Sequence, residues 1–127
     1  MSATNTDIAI IGMAGIYPGS PTIEKFWNNV VSKIESVTDA PASWNAPRYF
    51  DPDATSQSQT RSYTNRGGFI EEFAEFRPLE FGIMPNSIDG SDPGHFMALR
   101  VAKEALADAG YLDRDFDRKR TAVIVGR

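Results

Sequence analysis

The sequence contains no cysteine. That absence removes disulfides, thiolate nucleophiles and cysteine-based zinc sites together, and it fits a reducing, cytoplasmic setting. Histidine is nearly absent too, with one residue, His95, so metal ligation lacks its usual imidazole donors. No apolar run approaches the ~20 residues a helix needs to cross a bilayer, which argues against a membrane-spanning helix. Positive charge is in deficit: Lys and Arg number 13 against 17 Asp and Glu, for a net charge of −4. A nucleic-acid binder would need a basic patch that this balance does not supply. The opening residues Met1–Thr6 are polar and uncharged, unlike a secretory signal, and read as a disordered tail over 1–6.

What is present is ordinary for a globular domain. The hydrophobic content is 41% and the charged content 24% over 127 residues, room for one domain. The stretch that organises the chain runs from Asp92 to Gly126. Asp92 is a good N-cap, and Pro93 at the first helical position lacks only an N–H that would be unpaired there. Ala98, Val101, Ala102, Ala105 and Ala109 fall on one stripe at spacings of three and four, with Arg100, Lys103, Glu104 and Asp108 opposite. Small residues on that stripe allow another backbone to come close. Gly110 follows as a left-handed C-cap. Asp113–Lys119 is a charged turn, and Ala122–Val125 is apolar without alternation, as in a strand covered on both faces.

The earlier chain repeats the logic. Ile8–Ile11 reads as a buried strand ending at Gly12. Gly15, Pro18 and Gly19 punctuate a turn region. Ser20 or Thr22 caps a helix whose apolar positions are Ile23, Phe26, Trp27, Val30, Val31 and Ile34, with an end near Ser36. From Asp39 to Arg66, prolines 41, 47 and 52 prevent a long helix. Such a long irregular stretch wraps a surface or serves a site. The two apolar runs are expected to be neighbouring parallel strands joined by a right-handed crossover.

Candidate chemistry is thin. Gly12, Gly15 and Gly19 follow a strand, but their spacing fits neither the dinucleotide fingerprint nor a Walker A loop, so tight turns are the better reading. His95 has no nucleophile paired with it in sequence and reads as a packed or capping residue. Glu71, Glu72 and Glu75 read as a solvated acidic face. The phenylalanines beside them read as core. Arg118, Lys119 and Arg120 form a basic turn, at most a weak carrier-protein or phosphate contact. The residues alone give an α/β fold piece, no catalytic residue, no cofactor site and no metal site.

A resemblance adds the rest. Asp7–Gly19, with its Ile-Ala-Ile-Ile-Gly-Met-Ala opening and Tyr-Pro-Gly turn, resembles the start of β-ketoacyl synthase domains of polyketide and fatty-acid megasynthases. Phe26-Trp27, Tyr49-Phe50-Asp51-Pro52-Asp53, Gly67-Gly68-Phe69-Ile70, Asp92-Pro93, Asp108-Ala109-Gly110-Tyr111 and the Val-Ile-Val-Gly at 123–126 follow in the family's order. Gly15-Ile16-Tyr17, Phe81–Ile88 and Gly90–Phe96 depart from the modular polyketide pattern and look more like the polyunsaturated-fatty-acid and heterocyst-glycolipid types.

The resemblance implies a partial thiolase-like fold: the first part of its N-terminal half, with two parallel strands and crossover helices over residues 7–127. It implies a decarboxylative Claisen condensation for the parent domain, in which a cysteine holds the acyl chain and two histidines assist decarboxylation of a malonyl extender. His95 matches neither histidine, and the cysteine is expected beyond Arg127, so the piece alone is expected to be inactive. The implied partners are the remainder of the ketosynthase domain and acyl carrier protein, with a homodimer for the full domain. No membrane or nucleic-acid partner is implied. Two other readings stand beside it: a non-catalytic interaction module that pairs with a full ketosynthase, and an α/β nucleotide-binding module.

Overall fold

A computed structural model describes residues 7–55 and 57–126. The expected tail over 1–6 lies outside the described residues. The chain divides into two compact units, Gly15–Glu75 and Met1–Ala14 with Phe76–Arg127.

In the first unit, helix α1 spans Ile23–Val31. Thr22 caps it, its Oγ1 accepting from the Lys25 amide at 3.2 Å. The helix ends five residues before the expected Ser36. Lys33 adopts a left-handed φ of 55°. The Ile34 amide then reaches back to the Asn29 carbonyl at 2.9 Å and the Lys33 amide to Val30 at 3.1 Å. That is a Schellman closure with lysine where glycine is usual. Strands β1 (Thr38–Asp39) and β2 (Arg66–Gly67) pair antiparallel, Thr38 opposite Gly67. Arg66 ties them down: its guanidinium donates to the Val37 carbonyl at 2.8 Å and pairs with Glu35 at 3.1 Å. Between the strands the proline-rich stretch makes single turns, a 3₁₀ turn at Ala42–Trp44 and helix α2 at Ala46–Tyr49.

The second unit is built on helix α3, Pro93–Asp108. Asp92 caps it as its sequence dictates, Oδ1 accepting from the Gly94 amide at 2.8 Å. Gly110, at φ 70°, closes the other end, with Tyr111 N–H to Leu106 at 2.8 Å and Gly110 N–H to Ala107 at 2.9 Å. Phe76 stacks on Phe81 and on Phe96, each at 4.9 Å between ring centroids. The phenylalanines are therefore packing residues, although half-buried: among the described residues no apolar side chain is fully buried.

One expectation is corrected. Ile8–Ile11 and Ala122–Val125 form no strands and do not pair with each other; the β1–β2 pair is the sheet among the described residues, and it is antiparallel. A strand exists only by virtue of its ladder partner, and the residues of these two runs are exposed.

Glu80 shows how exposed the polar contacts of this unit are. Its Oε2 accepts from Lys103 Nζ at 2.8 Å, and Arg77 lies 3.7 Å from Oε1. The Lys103 hydrogen bond and charge, with a smaller part from Arg77, hold the Glu80 carboxyl below its ordinary range. A lowered folded-state pKa adds stability above the unfolded value and loses it as pH falls through the folded value. The expected result is a Glu80 titration midpoint, followed by carboxyl NMR, that rises in Lys103→Met and in high salt. A midpoint unmoved by either change would show that the pair does not form in solution.

Candidate functional site

The residues singled out in the sequence separate in the structure. His95 is exposed in the first turn of α3, its amide donating to the Asp92 carbonyl at 3.1 Å. No serine hydroxyl bonds to it among the described residues. Glu71 and Glu72 lie in a 3₁₀ turn, Glu71–Phe73, and Glu71 Oε2 accepts from Ser43 Oγ at 2.6 Å. Nothing pairs the two carboxylates as acid and base. The basic residues form the turn Arg118–Arg120, capped by Asp117, with Arg118 lying 5.3 Å over the Phe116 ring. No group of three or more metal-ligating side chains gathers among the described residues.

Two of the early glycines, Gly12 and Gly19, do different work. Gly12 is pressed onto α3. A Cβ there would overlap the Ala105 carbonyl oxygen and come within 2.7 Å of Ala109 Cβ. This is the close backbone approach that the alanine stripe permits. Next to it, the Met13 amide donates to Asp108 Oδ2 at 2.8 Å, so the segment is pinned at two points. Asp108 belongs by pattern to the polar face of α3, and its anchoring role has no separate signal in sequence.

Gly19 sits at φ 66° in the turn Tyr17-Pro18-Gly19-Ser20, closed by the Ser20 amide on Tyr17 at 2.8 Å. Proline second and a left-handed glycine third make it a type II turn. Asn29 holds this turn against α1. Its Nδ2 donates to the Gly19 carbonyl at 3.1 Å and to Ser20 Oγ at 2.8 Å, and both Asn29 and Ser20 are buried. Tyr17 and Phe26 stack alongside at 4.3 Å. Asn29 was not among the sequence candidates. The signal was present: an amide between Phe26 and Val30 on an otherwise apolar helical stripe. Replacing it strands the buried Ser20 hydroxyl, so Asn29→Ala should lower stability by about 1–3 kcal/mol. Urea denaturation measures this; a loss near zero would mean that water takes over both bonds.

A cleft of about 550 Å³ lies beside α3, lined by Ile11, Gly12, Leu106, Tyr111, Phe116 and Arg120 among others. Its walls are chiefly apolar; the polar groups at its rim come from Asp117, whose carboxylate caps the Arg118–Arg120 turn, and from Thr121, whose hydroxyl donates to the Asp117 carbonyl at 2.8 Å.

Residues 5–127 match the family described as the β-ketoacyl synthase N-terminal domain. The chain belongs to that family. Among curated relatives, the ketosynthase chain is 33% identical to polyketide synthase PksL of Bacillus subtilis over 94% of its length, and 35% identical to polyketide synthase ThaG of Burkholderia thailandensis over 98%. It spans 3% and 2% of those proteins. Among solved structures it is similar to the oxazolomycin ketosynthase domain of Streptomyces albus, with TM-score 0.70 and 29% identity over 80% of this chain and 18% of that one. The ketosynthase of module 6 of the bacillaene synthase from Bacillus subtilis gives TM-score 0.68 and 33% identity over 80% of this chain and 17% of that one. The latter was solved with a cysteine replaced by serine. The α/β, partial thiolase-like assignment agrees with these neighbours, and the ketosynthase identity with the relatives. No described helix is long and apolar enough to cross a membrane.

Proposed function

We propose that residues 7–127 are the N-terminal part of a ketosynthase domain whose whole form carries out decarboxylative Claisen condensation, and that this piece contributes framework rather than catalytic groups. The observation that carries the reading is the combination of a family match over residues 5–127 with a chain that contains no cysteine. In a family whose acyl group rides on a thiolate, the chemistry must come from residues outside these. The piece is inactive by itself. Its partners are the remainder of the ketosynthase domain and, for the parent enzyme, acyl carrier protein; the full domain is a homodimer in the cytoplasm. The anchors described above give the piece its role: Gly12 and Asp108 fix the first turn on α3, and Asn29 fixes the second on α1. The sequence departures at Gly15–Tyr17, Phe81–Ile88 and Gly90–Phe96 favour a synthase type nearer to the polyunsaturated-fatty-acid and heterocyst-glycolipid enzymes.

The test is a graft. Residues 5–127 replace the matching part of the bacillaene module 6 ketosynthase, and the purified chimera is offered acyl thioester. It is expected to form the acyl-enzyme seen by intact mass. A chimera that folds with the parent's circular dichroism and melt, yet takes up no acyl group, would contradict the proposal.

A further inference from the structure

Asp89-Gly90 is the one place in the chain where an Asp or Asn directly precedes glycine. It sits in the exposed turn Ile88–Ser91, between the 3₁₀ turn Pro85–Ser87 and helix α3. The Ser91 amide closes the turn on the Ile88 carbonyl at 3.0 Å. Gly90 lies third in it at φ 79°, and nothing stands within 4 Å of where its Cβ would be. Among the described residues, neither the Gly90 amide nor the Asp89 carbonyl or carboxylate has a hydrogen-bond partner. Glycine adopts either sign of φ with equal ease, so the peptide joining the two residues is free to flip within the turn.

We propose that Asp89-Gly90 is a site of spontaneous backbone isomerisation, in which Asp89 is converted to isoaspartate. The Gly90 nitrogen attacks Asp89 Cγ. A C–N bond forms, and the carboxyl OH leaves with the amide proton as water. The five-membered succinimide then takes up one water from solvent. Addition at the side-chain carbonyl restores aspartate. Addition at the main-chain carbonyl leaves the backbone running through Cγ, with the former main-chain carbon as a free carboxylate. Mass and charge are unchanged, and the backbone is one atom longer between Ile88 and Ser91. Asn86-Ser87, three residues upstream, shows that the choice of site is structural. An asparagine forms the same ring with ammonia as the leaving group. There, however, the nitrogen that would attack, the Ser87 amide, is held to the Met84 carbonyl at 2.9 Å inside the 3₁₀ turn. Serine also carries the Cβ that glycine lacks. The Gly90 nitrogen is under neither restraint.

The purified chain is held at neutral pH for weeks and digested with trypsin. An isoaspartyl-specific carboxyl methyltransferase with labelled S-adenosylmethionine marks the new carboxylate, and electron-transfer fragmentation of the labelled peptide places it. The expected result is label that grows at Asp89 and is absent at Asn86. In urea, where the Ser87 amide is released, Asn86 is expected to take label as well. Asp89→Glu, whose ring would be six-membered, and Gly90→Ala are each expected to lose the label at this site. Asp89→Glu keeps Gly90, so the turn retains its glycine in at least one of the two variants. A folded chain that gains no label at Asp89 would overturn the proposal, and so would one in which Asn86 is labelled first. An Asn86 that stays unlabelled in urea would overturn the assignment of its protection to the 3₁₀ hydrogen bond.

Discussion

Incubated with acyl-CoA and malonyl-carrier protein, the isolated chain should gain no acyl mass and release no condensation product. The thioester intermediate needs a sulfur nucleophile, and the chain's sulfur is confined to four methionines, whose thioethers cannot exchange an acyl group. A serine hydroxyl accepts an acyl group only beside a base. His95 is the one imidazole. It stands exposed at the start of α3. No serine hydroxyl reaches it among the described residues. Intact mass spectrometry with labelled acyl donor reads the outcome directly. A stoichiometric adduct, or product above a protein-free blank, would sink both the inactivity and the framework role assigned to this piece.

Substituting Gly12 should destabilise the unit built on α3. Two effects oppose each other. Gly12 has no left-handed φ, so an alanine there would restrict the unfolded chain and, on that ground alone, stabilise by about 0.4–1 kcal/mol. The added Cβ, however, would overlap the Ala105 carbonyl and lie 2.8 Å from the Ala109 amide nitrogen, both backbone atoms of α3. Backbone cannot swing aside as a flexible side chain can. Overpacking of this kind costs about 1–3 kcal/mol, so the contact wins and the sign is destabilising. Gly12→Val, with two more carbons, should cost more than Gly12→Ala. Urea midpoints give the ranking, and faster amide exchange at Ala105–Ala109 locates the damage. An alanine variant as stable as the parent would mean that the Gly12 segment does not rest on α3 in solution.

The pattern of what was legible in sequence follows from how far each feature depends on its neighbours. Helix α3 was readable at both ends because its signals are local: Asp92, Pro93 and Gly110 each act within one turn. The alanine stripe announced a close backbone approach, and Gly12 makes it. The end of α1 was not readable, because Lys33 takes a left-handed conformation that lysine does not advertise. Ile8–Ile11 and Ala122–Val125 have strand composition, but composition gives a propensity and a ladder needs a partner. Asn29 was visible as an amide on an apolar helical stripe, but its role was not. Its value comes from two acceptors supplied by a turn nine and ten residues away, which no spacing rule encodes.

The bond from the Met13 amide to Asp108 spans 95 residues of sequence. A ribosome adds about 5–20 residues per second, so the first turn of this chain emerges roughly 5–20 s before its anchor on α3 is made. The Asn29 contacts close within ten residues and are available almost as soon as α1 leaves the exit tunnel. During synthesis the Gly12–Met13 segment therefore waits many seconds for its seat on α3, long enough for a holdase chaperone to find it.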